Sequence, residues 1–126
     1  ALFAGGGELP EARHNACQRI RKSIAAKPLY IAGHDRACSA INSAYGEAIT
    51  VKTGAEGVYS AAFHELGLGA VLKARDGNKR GAEVAIGAVI RALGYPTDGL
   101  VKNFFKPKVL NWAGEEVGDI TVPQFL

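Results

Sequence analysis

The chain has 126 residues, 48% of them hydrophobic and 21% charged, with a formal net charge of +3 and a pI near 9.0. That length suits one compact domain or part of a larger one. The apolar content excludes a disordered chain, the modest positive charge argues against nucleic acid as a partner, and no run of about 18 apolar residues is present to span a membrane.

Residues 1–9, with Gly5-Gly6-Gly7, read as a linker or an arriving loop ahead of a single domain that fills the rest of 1–126. Pro10 suits the first turn of a helix. Ala16, Cys17, Ile20 and Ile24 follow at helical spacing, Arg13, Arg21 and Lys22 occupy other faces, and Pro28 stops the helix. Ala32-Gly33-His34-Asp35 reads as a turn, with Asp35 a candidate N-cap. A short helix carrying Ala37, Ile41 and Ala44 would end at Gly46.

From Ala48 the pattern turns to strands: Ala48 to Lys52, Val58 to Phe63 and Leu68 to Ala74. The breaks, Gly54 to Gly57 and His64 to Gly67, are too short for parallel crossovers, so an antiparallel meander is expected. Asp76-Gly77-Asn78 is a turn signal. Lys79 to Leu93 is the clearest helix, with Ala82, Ile86, Val89, Ile90 and Leu93 on one stripe, Gly94 at C′ and Pro96 beyond. Its small residues Gly81, Ala85, Gly87, Ala88 and Ala92 would let it approach the sheet closely. Phe104 and Phe105 are expected to pack, and Val109 to Trp112 and Val117 to Val122 to form two more strands around Ala113-Gly114-Glu115. The fold class is therefore α+β, an antiparallel sheet of the three-strand meander plus the C-terminal strands, packed by helices.

Lys52 is the residue singled out for chemistry. It closes a strand, and Gly54 leaves room for a ligand lying along it. Thr53 adds a hydroxyl. A strand lysine beside a serine can move protons or favour an alkoxide when its pKa is lowered, and Lys-Thr-Gly forms one wall of the site in serine β-lactamases and penicillin-binding proteins. Glu56 is a candidate partner for a substrate ammonium, or a turn cap. Arg36 is a candidate for a carboxylate, or for a surface salt bridge. His14, His34 and His64 are too widely spaced for a metal-ligand pattern, so no metal is expected. Lys102, Lys106 and Lys108 around Phe104-Phe105 read as solvated lysines on a packed tail, and Gly67 and Gly69 do not make a phosphate loop. A partner serine is missing: Ser23, Ser39, Ser43 and Ser60 are each followed three residues on by something other than lysine, and there is no Gly-x-Ser-x-Gly elbow.

Val-Lys-Thr-Gly-Ala-Glu-Gly-Val-Tyr at 51–59 resembles the asparaginase II family of bacteria. The resemblance continues through Leu-Pro-Glu-Ala-Arg at 9–13, Arg-Ile-Arg at 19–21, Ile31-Ala32-Gly33 to Arg36, Glu65 to Gly69, Leu72-Lys73 with Asp76-Gly77 and Arg80, Val109 to Asn111, and Gly114 to Gly118. It implies the C-terminal part of a β-lactamase-like, glutaminase-like fold. It further implies deamidation of L-asparagine through a serine acyl-enzyme, with the nucleophile in an N-terminal half outside this chain. Lys52 would be the family's strand lysine, with Thr53 and Gly54 beside it and Glu56 and Arg36 as substrate-binding candidates. The expected partners are the amide substrate, that N-terminal half and further copies of the protein, with neither nucleic acid nor membrane. No cofactor is expected in this chain, although zinc held by cysteines occurs in some members and so is open for the parent protein. Ser60, where the family often has cysteine or alanine, and His34-Asp35 with Ala37-Cys38 depart from the family pattern. The alternative is a non-catalytic amino-acid-binding or assembly module that keeps the fold.

Two further expectations come from the residues. Cys17 and Cys38 do not make a disulfide framework, and free, partly buried thiols are expected. With no signal-peptide pattern, a cytoplasmic setting is the default. The chain holds no Met, so its N-terminus is expected to be processed or to belong to a fragment.

Overall fold

The computed structural model describes residues 2–5 and 8–123. Five helices and five strands follow in the order α1 (Glu11–Ala26), α2 (Leu29–Ala32), α3 (Ala37–Tyr45), β1 (Ile49–Thr53), β2 (Val58–Phe63), β3 (Leu68–Lys73), α4 (Lys79–Ala92), α5 (Lys102–Phe105), β4 (Lys108–Leu110) and β5 (Glu116–Asp119), with 3-10 turns at Leu2–Ala4 and Gly99–Val101. The fold is α+β, as the strand and helix patterns predict.

β1, β2 and β3 form the antiparallel meander, in that order across the sheet. Lys52 stands opposite Ser60, and Ser60 opposite Val71. The two C-terminal strands also form, shorter than expected, and pair with each other in a separate two-stranded sheet. Period-two alternation divides the meander into two faces. Ile49, Val51, Tyr59, Ala61 and Phe63 face α3 and α4 and join Ile41, Ala82, Ile86 and Ile90 in the core. Thr50, Lys52, Ser60, Ala62, Gly69 and Val71 lie on the other face.

α4 starts where the sequence places it. Asn78 is the N-cap, and its Oδ1 accepts the Arg80 N–H at 3.0 Å. Ala82, Ile86 and Ile90 of the expected stripe are buried, while Val89 and Leu93 pack half-buried against the core. Among the small residues, Gly87 has a specific purpose. A Cβ there would lie 2.4 Å from Phe105, so its lack of a side chain admits the α5 ring rather than bringing the helix closer to the sheet.

The structure corrects two boundary expectations and adds to a third. Asp35 is not the N-cap of α3. It takes a left-handed φ of 52°, whereas a cap needs an extended backbone, and Arg36 (φ −121°, ψ 136°) supplies it. Pro28 does end α1, but its fixed φ also starts the short α2. Part of the stretch expected to be a linker is packed: Leu2–Ala4 turn against β2 and β3, and Ala4 is buried. Gly6 and Gly7 of that stretch lie outside the described residues.

α1 differs from the other long helices in burying no residue fully. Cys17 and Ile24 are half-buried, and Ile20 of the same stripe is 50% exposed.

Candidate active site on the edge strand

The turn after β1 is shaped by its glycines. Gly57 has φ +70°, and an added Cβ would stand 2.8 Å from the Ala74 Cβ and 2.9 Å from the Gly77 backbone carbon. Only glycine fits there. The Gly57 carbonyl accepts the Ala74 N–H at 2.9 Å, which docks the turn against the end of β3. Glu56 takes φ +54°, a region that costs a non-glycine residue of order 1–3 kcal/mol. An exposed carboxylate is thus held in an unfavourable backbone state directly beside the lysine strand. Gly54 has an extended role: a Cβ there would press on the Val58 side chain at 3.1 Å.

β1 is an edge strand, and its open side is closed by side chains of α3 rather than by another strand. Asn42 is completely buried. Its amide donates to the Val51 carbonyl at 3.0 Å and to the Cys38 carbonyl at 2.8 Å, and its Oδ1 accepts the Val51 N–H at 3.1 Å. Asn42 therefore copies the donor–acceptor pair that a neighbouring strand would offer. One helical turn earlier, the Cys38 Sγ accepts the Thr53 N–H at 3.1 Å and shares a hydrogen bond with the Tyr59 hydroxyl, also at 3.1 Å. Burial and this bond push the Tyr59 phenol above its ordinary pKa, keeping it neutral. Cys38 and Asn42 thus fix the backbone on both sides of Lys52. Sequence reasoning did not identify either residue for this purpose. The available signal is a polar residue and a thiol four apart on the same apolar helix face as Ile41.

Lys52 is exposed on the face of the sheet away from α3 and α4. Its Nζ donates to the Thr53 carbonyl at 2.6 Å, and the opposing Ser60 hydroxyl donates to the Lys52 carbonyl at 3.1 Å. Both residues line a groove of about 470 Å³ between this face, Phe3-Ala4, Ile24 and Ile31. Its floor is low because Ala62 and Gly69 stand on this face, with the backbone of Ala61 and Ala70 between them and their neighbours. The volume falls within the usual range of small-molecule sites, about 300–1,000 Å³.

The other sequence-predicted residues are not all on this face. Thr53 alternates with Lys52, and its hydroxyl closes the turn by donating to the Gly54 and Val58 carbonyls at 3.3 and 3.2 Å. Arg36 is exposed at the start of α3, where its charge bears on Tyr59 and Glu83. Burial raises the Glu83 carboxyl above its ordinary pKa, while Lys79 and Arg36 pull it back. Both thiols are free, Cys17 half-buried and Cys38 buried. Among the described residues no three His, Cys, Asp or Glu side chains come together as metal ligands.

His64, just after β2, bonds through Nε2 to Thr50 Oγ1 at 2.8 Å. Burial lowers its pKa below the ordinary 6.5, Arg21 acts in the same direction and Glu47 opposes it. Between the folded and unfolded pKa values the unfolded chain binds the proton more readily. The His64 contribution to stability is therefore complete above about pH 6.5 and is lost as pH falls toward the folded value. Thermal midpoints should fall over that window, and His64→Gln should flatten the fall. An unchanged acid limb in His64→Gln would remove His64 as its source.

No helix of the described residues is long and apolar enough to cross a membrane. Comparison with curated proteins finds no match. The family model described as L-asparaginase II, in contrast, matches residues 1–122. That span contains the lysine strand, the helix that closes its edge and the groove in front of it, and the chain belongs to the L-asparaginase II family of amidohydrolases.

Proposed function

We propose that this chain supplies the lysine wall of an active site that hydrolyses the side-chain amide of L-asparagine to aspartate and ammonia. The observation that carries the reading is Lys52, presented to the groove from a strand whose backbone is fixed on both sides, in a chain of this family. A serine oxygen attacks the amide carbon, the C–N bond breaks, and ammonia leaves once protonated. Water then hydrolyses the serine ester. The nucleophile lies in a segment N-terminal to this chain, because none of the four serines is followed by lysine at the third position. Ser60 is already bonded to the Lys52 carbonyl. Lys52 holds and relays the proton of that incoming serine system.

Glu56, exposed on the same turn, is the proposed partner of the substrate ammonium. Gly54 leaves the strand end open to the substrate. Arg36, whose charge acts on Tyr59 and Glu83, supports the back of the strand on this reading. Two free thiols suit a reducing, cytoplasmic setting.

Ammonia release from L-asparagine and L-glutamine tests the proposal. The chain alone should give no turnover, and should give asparagine turnover when joined to the Ser-x-x-Lys-bearing segment of the same protein. Turnover by the chain alone would refute the external nucleophile. Saturable asparagine binding without turnover in the joined protein would favour the binding-module alternative.

A further inference from the structure

A second cavity lies behind the groove, across the wall made by Phe3 and Ala4, which line both. It encloses about 90 Å³. The polar side chains around it all carry nitrogen: His14, Gln18 and Arg21 from successive turns of α1, and His64 from the end of β2. Among the described residues that line it there is no carboxylate. The remaining wall is Phe3, whose ring meets His64 edge-on at 5.5 Å, with Ala4, Gly5 and Cys17.

Arg21 is the key to what this space takes. Its Nη2 stands 3.5 Å from the Glu47 carboxylate, which does not line the cavity. Its Nε is buried and has no hydrogen-bond partner among the described residues. A buried guanidinium N–H left unmade is costly, and an arginine pairs best with a planar or tetrahedral oxyanion. Gln18 adds a second donor, its Nε2 lying 3.4 Å from the His14 ring nitrogen.

The geometry points to a binding site for a small oxyanion, a short carboxylate or an inorganic phosphate, held by Arg21 with Gln18 and the two histidines. The volume admits an ion of that size and excludes a nucleotide or a peptide. This site is independent of the amide chemistry at Lys52, although the two cavities touch. Thr50 lines the groove, His64 lines the second cavity, and their side chains bond at 2.8 Å.

The lowered pKa of His64 gives a direct readout, since Arg21 contributes to that lowering. An anion seated beside Arg21 offsets its charge and raises the His64 pKa. The chain has three histidines, and His34 lies outside the cavity, so it serves as an internal control.

The experiment is titration of the histidine ring signals by NMR with sodium phosphate and, separately, sodium acetate, at fixed pH and ionic strength. A saturable shift of His64 and His14, with His34 unmoved, is expected for one of the two anions, and the one that saturates identifies the source. Arg21→Gln should weaken that binding at least tenfold, while Lys22→Gln, on another face of the helix, should leave it unchanged. If Arg21→Gln does not fold, Gln18→Leu, which removes a donor and fills the space, should abolish the saturable shift. Shifts that never saturate for either anion, or that persist unchanged in Arg21→Gln or Gln18→Leu, would overturn the site and leave a cavity for water alone.

Discussion

Lys52→Ala should lower kcat for asparagine hydrolysis by about 10² or more in the protein that carries the complete site, in line with the loss of a general acid–base group. That corresponds to about 2.7 kcal/mol of transition-state stabilisation at about 1.36 kcal/mol per tenfold. The fold should be indifferent to the change. Lys52 is exposed, and among the described residues its side chain bonds only to the adjacent Thr53 carbonyl, so stability should stay within about 0.5 kcal/mol of the parent. Lys52→Arg separates two roles. Arginine keeps the positive charge but does not release its proton in proteins. If Lys52 acts in proton transfer, Lys52→Arg stays as slow as Lys52→Ala. If it acts as a fixed charge, Lys52→Arg recovers most of the rate. Normal kcat in Lys52→Ala would remove Lys52 from the mechanism altogether.

Asn42→Ala should be among the most destabilising single substitutions in the chain, at about 3 kcal/mol or more. It removes three hydrogen bonds and strands the Val51 N–H and the Val51 carbonyl beside a side chain that is completely buried, while the Cys38 carbonyl, inside α3, keeps its helical partner. Each buried group left unsatisfied costs about 1–3 kcal/mol. Asn42→Asp is a sharper probe. Its carboxylate still accepts the Val51 N–H but meets two carbonyls with no donor to offer, so it should be at least as damaging at neutral pH. Urea denaturation measures both. A loss below about 1 kcal/mol for Asn42→Ala would mean that the edge of β1 is closed by something other than this side chain. The same substitution should lower kcat in the complete enzyme, because Val51 immediately precedes Lys52.

The parts of the fold that were legible in the sequence are those set by local rules. The meander follows from turns too short for any crossover, and α4 from its stripe, the turn signal ahead of it and Gly94 at C′. The face on which Lys52 lies follows from alternation with Val51 and Thr53. What was not legible depends on distant segments meeting. Asn42 reads locally as a polar residue in a short helix. Its purpose exists only once α3 lies along the free edge of β1. Thr53 and Arg36 were grouped with Lys52 because they are close in sequence or in motif. Strand alternation turns Thr53 to the opposite face, and the N-cap position places Arg36 beside Tyr59 and Glu83. The C-terminal strands could be predicted from their residues. Their pairing in a separate sheet could not, because it depends on where α5 leads the chain, and that depends on Phe105 seating over Gly87.

The closure of β1 by α3 also acts as a ruler. A sheet of small, smooth residues such as Ala61, Ala62, Gly69 and Ala70 offers little to prevent its strands from sliding. A slide by one residue would turn Lys52 into the core and expose Val51, and a slide by two would keep the faces but move the lysine to a different neighbour. Asn42 accepts only one residue of β1 with both its N–H and its carbonyl, and Cys38 accepts the N–H two residues on. Two contacts spaced one helical turn apart on α3 and two residues apart on β1 match at a single alignment. The helix therefore measures out where along the strand the lysine falls.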